Sequence, residues 1–190
     1  MLQSTLSHEN GTSIYNKRCA GILMHITSLP SEYGIGSLGK AAFDFINFLS
    51  KSGQKCWQML PIGHTSFGDS PYQLFSSYAG NPYFVDLDIL NSMDLLKEDE
   101  YKNLDWFEDH NTVDYKKIYD LRYLVLKKAY NRFKNKDQSE FVIFMDSEQD
   151  WLDDYSLFMA VKKHFNMKPW PEWDDIGIKL RKKESVLYYS

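Results

Sequence analysis

Two short apolar runs decide the fold: AGILMHI at residues 20–26 and KCWQML at residues 55–60. The first is nearly continuous in apolar residues, which is typical of a strand buried on both faces of a parallel sheet, and the second predicts a further strand of this kind that ends at Pro61. Between them, apolar residues recur at helical spacing, with Ser37 as the predicted N-cap and Gly53 just beyond the C-terminus. The residues of this helical face are Leu38, Ala41, Ala42, Phe45, Ile46 and Leu49. The pattern predicts a βαβ unit with a right-handed crossover.

The rest of the chain divides into a long loop and a helical region. Residues 63–83 are rich in Gly, Ser, Pro, Tyr and Asn, and long ordered loops are usually functional. Residues 84–90 fit either a short strand or the start of a helix. Ser147 and Asp150 form a candidate capping box. Helical spacing predicts three helices, from about residue 114 to 133, from about residue 139, and from residue 147 to 165.

The composition excludes several classes of protein. The chain has 190 residues, with 22 basic and 26 acidic side chains and 43% apolar residues, so it can bury a core and is not a disordered chain. The formal charge of −4 argues against a nucleic-acid-binding protein, which normally carries a basic stripe. The N-terminus is polar, which predicts that there is no signal peptide. The sequence has no long apolar run, which predicts that there is no membrane span. We therefore expect a cytoplasmic location.

The cysteines and histidines predict no metal site. Cys19 and Cys56 could form one disulfide, but a sparse pair in an ordinary composition favours reduced thiols. We expect Cys56 to be a small buried residue of the second strand. The five histidines are scattered, and no Cys/His cluster has the spacing of zinc ligands.

The sequence GIGSLG at residues 34–39 matches the glycine pattern of dinucleotide-binding proteins. Two features of the sequence argue against a nucleotide-binding site. A loop separates the first strand from the first glycine, and no Asp or Glu occurs between Asp44 and Asp69, where the acidic residue that binds the ribose would lie. We therefore predict that these glycines only let the chain turn tightly into the helix.

A second candidate site is the sequence GDSPYQ at residues 68–73, which follows the second predicted strand. Ligand sites of α/β folds lie in loops at the carboxyl ends of strands. An aromatic ring that can stack on a pyranose, with small hydroxyl, amide and carboxylate groups, suits a carbohydrate. The alternative is a well-ordered structural loop in which Asp69 is a turn or cap residue. The residues alone leave both interpretations open.

Three other residues also have two interpretations. His25 lies at the end of the first predicted strand, so it either faces a cleft or is a structural residue with satisfied hydrogen bonds. Trp170 and Trp173 form either a platform for a sugar or anchors that pack a loop.

Several motifs, taken in order, closely resemble one known family. They are AGILMHITSLP (20–30), YGIGSLG (33–39), GQKCWQMLP (53–61), GDSPYQ (68–73), AGNP (79–82) and WLDDYSLFMA (151–160). Together they resemble the amylomaltases, the 4-alpha-glucanotransferases also called disproportionating enzymes. The resemblance extends from about residue 18 to about residue 175.

The resemblance implies a (β/α)₈ barrel that carries inserted helical subdomains. Residues 1–18 would then be a flexible lead-in, residues 19–90 the first two strands of the barrel, and residues 91–190 a helical insertion that ends before the third strand. A barrel of this kind needs about 250 residues, so we expect the chain to be an N-terminal fragment of the enzyme.

The resemblance also implies an activity. Members of the family transfer α-1,4-glucan segments between maltooligosaccharides by a retaining, two-step mechanism that uses no metal or organic cofactor. The motif match assigns Tyr72 as a ring that lines the cleft near the scissile bond, with Asp69, Ser70 and Gln73 beside it. The catalytic carboxylates of the family have no matching motif in this sequence, so we assign no catalytic residue and expect this chain alone to be inactive.

Two other functions remain as alternatives. The first is a non-catalytic α-glucan-binding module built on a partial barrel. The second is a nucleotide-dependent oxidoreductase, which the missing acidic residue disfavours. The sequence leaves the oligomeric state and the preferred length of the glucan open.

Overall fold

The structure is a computed structural model that describes residues 18–66, 68–107, 109 and 111–190. Residues 1–17 of the predicted lead-in lie outside the described residues. The fold is mixed α/β, with two short parallel strands and seven α-helices in the described part of the chain. The strands and helices, in chain order, are β1 Gly21–Leu23, α1 Lys40–Lys51, β2 Cys56–Gln58, α2 Leu87–Ser92, α3 Tyr115–Phe133, α4 Ser139–Ser147, α5 Gln149–His164, α6 Ile176–Lys179 and α7 Lys183–Tyr189.

The predicted βαβ unit is confirmed. Strands β1 and β2 are parallel, with Gly21 opposite Cys56 and Leu23 opposite Gln58, and α1 connects them. Gly53 follows the C-cap of α1 in a left-handed conformation with φ of 74°, as its predicted position requires. The backbone N–H of the next residue, Gln54, returns to the carbonyl of Leu49 at 2.9 Å and ends the helix.

The prediction that both strands are buried on both faces is wrong for the described structure. The strands are three residues each, and all of β1 is exposed, with Leu23 59% exposed. The reason is that the sheet has two strands in the described residues, so the outer edges have no neighbouring strand. Helix α1 packs against the sheet only in part, through an edge-to-face contact of Phe45 with Trp57 at 4.9 Å.

The predicted start of α1 is also wrong. Its N-cap is Gly39 rather than Ser37, and Gly39 supplies no side-chain cap. The Ser37 hydroxyl instead donates to the carboxylate of Asp86 at 2.6 Å. Asp86 in turn caps α2 by accepting from the backbone N–H of Ile89 at 3.0 Å. A long-range hydrogen bond therefore replaces the local cap that the sequence pattern indicates.

The helical region agrees with most of the predictions. Residues 84–90 contain a 3₁₀ turn and the start of α2, so the helical alternative is confirmed. The Asp114 carboxylate caps α3 by accepting from the Lys117 N–H at 3.0 Å. The predicted capping box of Ser147 and Asp150 is wrong, because Ser147 is the last residue of α4 and Glu148 is the N-cap of α5. The Ser147 hydroxyl donates backward, to the Phe144 carbonyl at 3.0 Å.

One main hydrophobic core holds these elements together. It joins α3 to α1, α2 and the segments on either side of them. Its buried residues are Ile26, Leu29, Tyr33, Ile35, Ala42, Tyr83, Phe84, Leu87, Leu95, Leu96, Tyr101, Trp106, Ile118, Val125 and Ala129. A smaller core of Val161, Trp173 and Ile178 joins α5 to α6.

A buried arginine fixes the segment that follows the long loop. Arg122 of α3 is fully buried and donates to the backbone carbonyls of Tyr83 at 2.7 Å and Val85 at 3.0 Å. Its guanidinium also lies 5.8 Å from the centre of the Trp106 ring. Burial lowers the pKa of Arg122 to about 10, with the carboxylate of Asp86 acting in the opposite direction. Helix α3 therefore holds residues 83–85 in place through a charge-assisted contact.

Candidate functional site

The long loop after β2 is folded back on itself. Isolated antiparallel bridges pair Gly63 with Gly80 and Thr65 with Leu74. Within the loop, the Phe75 N–H donates to the His64 carbonyl at 2.9 Å, and the Ser66 N–H donates to the Gln73 carbonyl at 2.8 Å. The loop is therefore an ordered hairpin-like structure at the carboxyl end of a parallel strand, where α/β folds bind ligands.

His64 anchors this loop to two helices. Its Nδ1 lies 2.8 Å from the hydroxyl of Tyr155 in α5, and its Nε2 lies 3.0 Å from the hydroxyl of Tyr123 in α3. The imidazole is 4% exposed, and burial lowers its pKa to about 4. The ring is therefore neutral at pH 7, with one hydroxyl donating to it and the other accepting from it. In the sequence His64 is one of five scattered histidines, and no local pattern predicted this role.

The four predicted site residues lie in the far part of the loop, with different exposure. The ring of Tyr72 is 71% exposed, and Gln73 is also exposed, whereas Asp69 and Ser70 are half-buried. Asp69 adopts a left-handed backbone with φ of 54°, directly after Gly68. The Ser70 hydroxyl accepts from the Tyr72 N–H at 3.4 Å. The turn thus directs the Tyr72 ring outward and the Asp69 carboxyl toward the interior.

Asp69 lies on the wall of a cavity of about 210 Å³. The cavity lies beyond the carboxyl ends of both strands, and His25, Thr65 and Asn81 also line it. Burial raises the pKa of the Asp69 carboxyl, and the nearby Thr65 hydroxyl offsets part of this rise. Such a carboxylate, beside hydroxyl and amide groups, can accept hydrogen bonds from several hydroxyls of one ligand.

His25 faces this cavity, which decides between its two interpretations. Its ring packs edge-on against Phe84 at 5.5 Å, and its Nδ1 is buried with no hydrogen-bond partner in the described part of the chain. Burial lowers the pKa of this histidine. An unpaired buried nitrogen at a cavity wall is available to a ligand hydroxyl.

A second, larger cavity of about 860 Å³ also reaches Asp69. Aromatic residues contribute much of its wall, among them Phe75, Tyr83, Tyr115 and Tyr119. Asp69 is the one carboxylate on the described walls of either cavity. Flat rings with a few convergent polar groups can bind a ring-shaped polyhydroxylated ligand.

Of the two tryptophans that could form a sugar platform, Trp173 acts in packing, whereas Trp170 is 52% exposed. Trp173 is buried, stacks on Phe165 at 5.7 Å and donates from its indole N–H to the Lys168 carbonyl at 3.1 Å, so it anchors a loop. Trp151 stacks on Tyr78 of the long loop at 5.9 Å with 17° between the rings. This contact connects α5 to the loop a second time, in addition to Tyr155.

The glycines of GIGSLG are explained by packing. A Cβ on Gly36 would lie 1.9 Å from the Ile26 carbonyl oxygen, and one on Gly39 would lie 1.8 Å from a carboxylate oxygen of Asp86. The Asp86 carboxylate thus occupies the N-terminus of α1, where a dinucleotide would place its pyrophosphate. Two negative groups at one helix end repel each other, so this position does not suit a nucleotide.

The described residues contain no group of three or more His, Cys, Asp or Glu side chains that could hold a metal ion. In the same part of the chain, no helix has both the length and the apolar character to cross a bilayer.

The fold and the loop define the chain as an α/β protein with a long, ordered loop beyond a parallel strand pair. Comparison with known proteins identifies the family to which the chain belongs. The model of the 4-alpha-glucanotransferase family matches residues 24–189, and the chain belongs to this family. A 4-alpha-glucanotransferase of Clostridium butyricum is 51% identical over 166 residues, and one of Thermus thermophilus is 43% identical over 175 residues. These alignments cover 87% and 88% of this chain, but 34% and 33% of the relatives.

A solved structure is similar as well. It is described as amylomaltase from Streptococcus agalactiae in complex with acarbose, and it matches with a TM-score of 0.87 at 42% identity. The match covers 91% of this chain and 35% of that structure. The chain therefore spans about a third of the length of the relatives that it matches. The comparisons lend no support to a separate glucan-binding module or to an oxidoreductase.

Proposed function

We propose that this chain supplies the N-terminal part of an enzyme that transfers α-1,4-glucan segments between maltooligosaccharides, with retention at the anomeric carbon. The observation that carries the proposal is the exposed Tyr72 ring on an ordered loop beyond a parallel strand pair. Membership of the 4-alpha-glucanotransferase family supports the substrate class. We assign Tyr72, Asp69, Ser70 and Gln73 to substrate binding.

Tyr72 would act as a stacking surface for a glucose ring. An exposed aromatic side chain on a rigid backbone loses little conformational freedom when it binds, which favours a well-defined sugar position. The antiparallel bridges and the His64 contacts fix the base of its loop. Positioning of an acceptor sugar favours transfer, because a sugar hydroxyl rather than water then reaches the glycosyl-enzyme.

Asp69 would bind sugar hydroxyls rather than perform the covalent step. Retention requires two carboxyl groups about 5 Å apart, one to attack the anomeric carbon and one to protonate the leaving oxygen. Asp69 is the one carboxylate on the described walls of the two cavities, so the pair is not formed there. The reaction would therefore need carboxylates from the part of the enzyme that the relatives contain beyond this chain.

The domain organisation follows from the same proposal. Strands β1 and β2 would be the first two strands of a (β/α)₈ barrel, within residues 19–90, and residues 91–190 would be a helical insertion. The parallel pairing and the position of the loop at the carboxyl ends of the strands support this assignment. We further propose a cytoplasmic location and a mechanism without cofactor.

The test uses the full-length protein that contains this chain, incubated with maltotriose. We expect glucose and longer oligosaccharides to form together, as disproportionation requires. The Tyr72→Ala variant should lower the transfer rate at least about tenfold, which corresponds to a loss of about 1.4 kcal/mol of transition-state stabilisation. Its unfolding temperature should stay close to that of the unmodified protein.

Tyr188→Ala is the matched control, because Tyr188 is 79% exposed and belongs to α7 rather than to the loop. It should leave the transfer rate unchanged. Equal rates for the Tyr72 and Tyr188 variants would remove Tyr72 from the site. Release of glucose without longer products would show hydrolysis instead of transfer.

A further inference from the structure

The two cysteines of the chain meet at the amino ends of the two strands. Cys19 precedes β1, and Cys56 is the first residue of β2. Their Sγ atoms lie 3.4 Å apart, and both cysteines are free. The prediction that Cys56 is buried is wrong, because Cys56 is half-buried, and the reduced state of the two thiols stays a prediction.

The backbone around the two cysteines holds their side chains close together. The Lys55 N–H donates to the Ala20 carbonyl at 2.9 Å, and Gly21 is paired with Cys56 in the sheet. A Cβ on Gly21 would lie 2.8 Å from the Cβ of Cys56 and 2.6 Å from its carbonyl oxygen. Because Gly21 has no side chain, the Cys56 side chain can lie over it and reach Cys19, on the same face of the extended backbone.

We propose that Cys19 and Cys56 form a redox-reversible disulfide when the chain meets an oxidised low-molecular-weight disulfide, such as glutathione disulfide. An S–S bond is about 2.05 Å long, so the two sulfur atoms need to move toward each other by little more than 1 Å from 3.4 Å. Cys19 is exposed, so the oxidant can reach it directly. The proposal does not depend on the function proposed above.

The disulfide forms by thiol–disulfide exchange with glutathione disulfide, in two steps. The Cys19 thiolate attacks one sulfur of glutathione disulfide, forms a mixed disulfide and releases one glutathione thiolate. The Cys56 thiolate then attacks the Cys19 sulfur, forms the internal disulfide and releases the second glutathione. The two protein thiols lose two electrons, the oxidant gains them, and the two thiol protons end on two molecules of glutathione.

The order of the two steps follows from the environment of each thiol. The hydrogen bond with Cys19, together with burial, raises the pKa of the Cys56 thiol. A thiol with a raised pKa is less often a thiolate, so it reacts more slowly with a dissolved oxidant. Cys56 is then suited to the second step, in which its partner sulfur is already beside it.

The position of the pair indicates what the disulfide would do. It would connect the segment before β1 to β2 at the amino ends of the strands, whereas the loop with Asp69 and Tyr72 follows their carboxyl ends. The bond would therefore stabilise the strand pair and leave the candidate site unobstructed. The two cysteines are 37 residues apart in sequence, so a disulfide between them would lower the conformational entropy of the unfolded chain.

The experiment places the 190-residue chain, diluted until it elutes as a monomer in size-exclusion chromatography, in glutathione buffers with rising proportions of the oxidised form. The products are trapped with acid and an alkylating agent and identified by mass spectrometry. We expect the loss of two hydrogens and a linked pair of peptides that contain Cys19 and Cys56, and dithiothreitol should reverse both changes. Cys56→Ser should give only the mixed disulfide of Cys19 with glutathione.

The decisive control moves the first thiol by one residue, in the double variant Cys19→Ser with Ala20→Cys. In an unfolded chain this change leaves loop closure almost unaffected. In the strand pair it places the thiol on the opposite face, away from Cys56. The unmodified chain should form its disulfide at a proportion of oxidised glutathione at least about tenfold lower than the double variant. Equal proportions for the two chains, or only mixed disulfides in the unmodified chain, would overturn the proposal.

Discussion

His64 and Tyr155 lie 91 residues apart in sequence, and the Nδ1 of the histidine is 2.8 Å from the tyrosine hydroxyl. This hydrogen bond joins the loop after β2 to helix α5. With the second contact of His64, to Tyr123 of α3, it makes the position of the loop depend on the helical half of the chain.

The first prediction concerns the acid sensitivity of this contact. Burial lowers the pKa of His64 from 6.5 to about 4, so between these pH values the unfolded chain binds a proton that the folded chain does not. The contribution of His64 to stability is therefore complete above pH 6.5 and is lost as the pH falls toward 4, by up to about 3 kcal/mol. Urea unfolding of dilute protein at several pH values, compared with the His64→Gln variant, measures this difference. Parallel pH curves for the two proteins would show that His64 titrates alike in both states.

Removal of the Tyr155 hydroxyl should destabilise the loop contact. In Tyr155→Phe the ring remains, but Nδ1 of the buried His64 loses its partner, which typically costs about 1–3 kcal/mol. The exposed Tyr188 offers a matched control, and Tyr188→Phe should change the free energy of unfolding by less than about 0.5 kcal/mol. Equal effects for both substitutions would mean that the hydrogen bond adds nothing to stability.

The GIGSLG segment should bind no dinucleotide. Asp86 occupies the N-terminus of α1, and its carboxylate accepts from the Ser37 hydroxyl at 2.6 Å. Calorimetric titration with NAD and with NADP should therefore show no heat beyond dilution. Saturable binding of either nucleotide would contradict this account of the glycines.

The 190-residue chain alone should lack transferase activity and should self-associate. Apolar side chains are exposed on the sheet and on α1, notably Leu23, Phe43 and Phe48. Unpaired strand edges beside such side chains promote aggregation. Size-exclusion chromatography at rising concentration should show oligomers, and incubation with maltotriose should give neither glucose nor longer products. Steady formation of both products, absent from a mock preparation, would refute the expectation of inactivity.

Local sequence patterns predicted those elements whose determinants lie within them. The helical spacing predicted the bounds of α3 almost to the residue, because a helix depends on contacts between neighbours in sequence. Gly53 was placed correctly for the same reason. The predicted start of α1 was wrong because the partner of Ser37 is Asp86, 49 residues further along.

In the candidate site, too, the residues of a local motif were predicted, whereas a residue that depends on distant contacts was missed. Tyr72 and Asp69 were found because they lie in one short motif, and their role in substrate binding stays a prediction. The anchoring role of His64 was missed because its partners come from two distant helices, and nothing in the neighbouring sequence indicates them. Buried polar networks of this kind require tertiary contacts for their recognition.

The buried guanidinium of Arg122 also has a consequence for the order of folding. Helix α3 depends on hydrogen bonds between neighbours in sequence and forms early, since local contacts form faster than distant ones. The carbonyls of Tyr83 and Val85, which Arg122 binds, lie 39 and 37 residues before it. We therefore expect residues 83–85, which end the long loop, to acquire their native backbone after α3 presents this side chain.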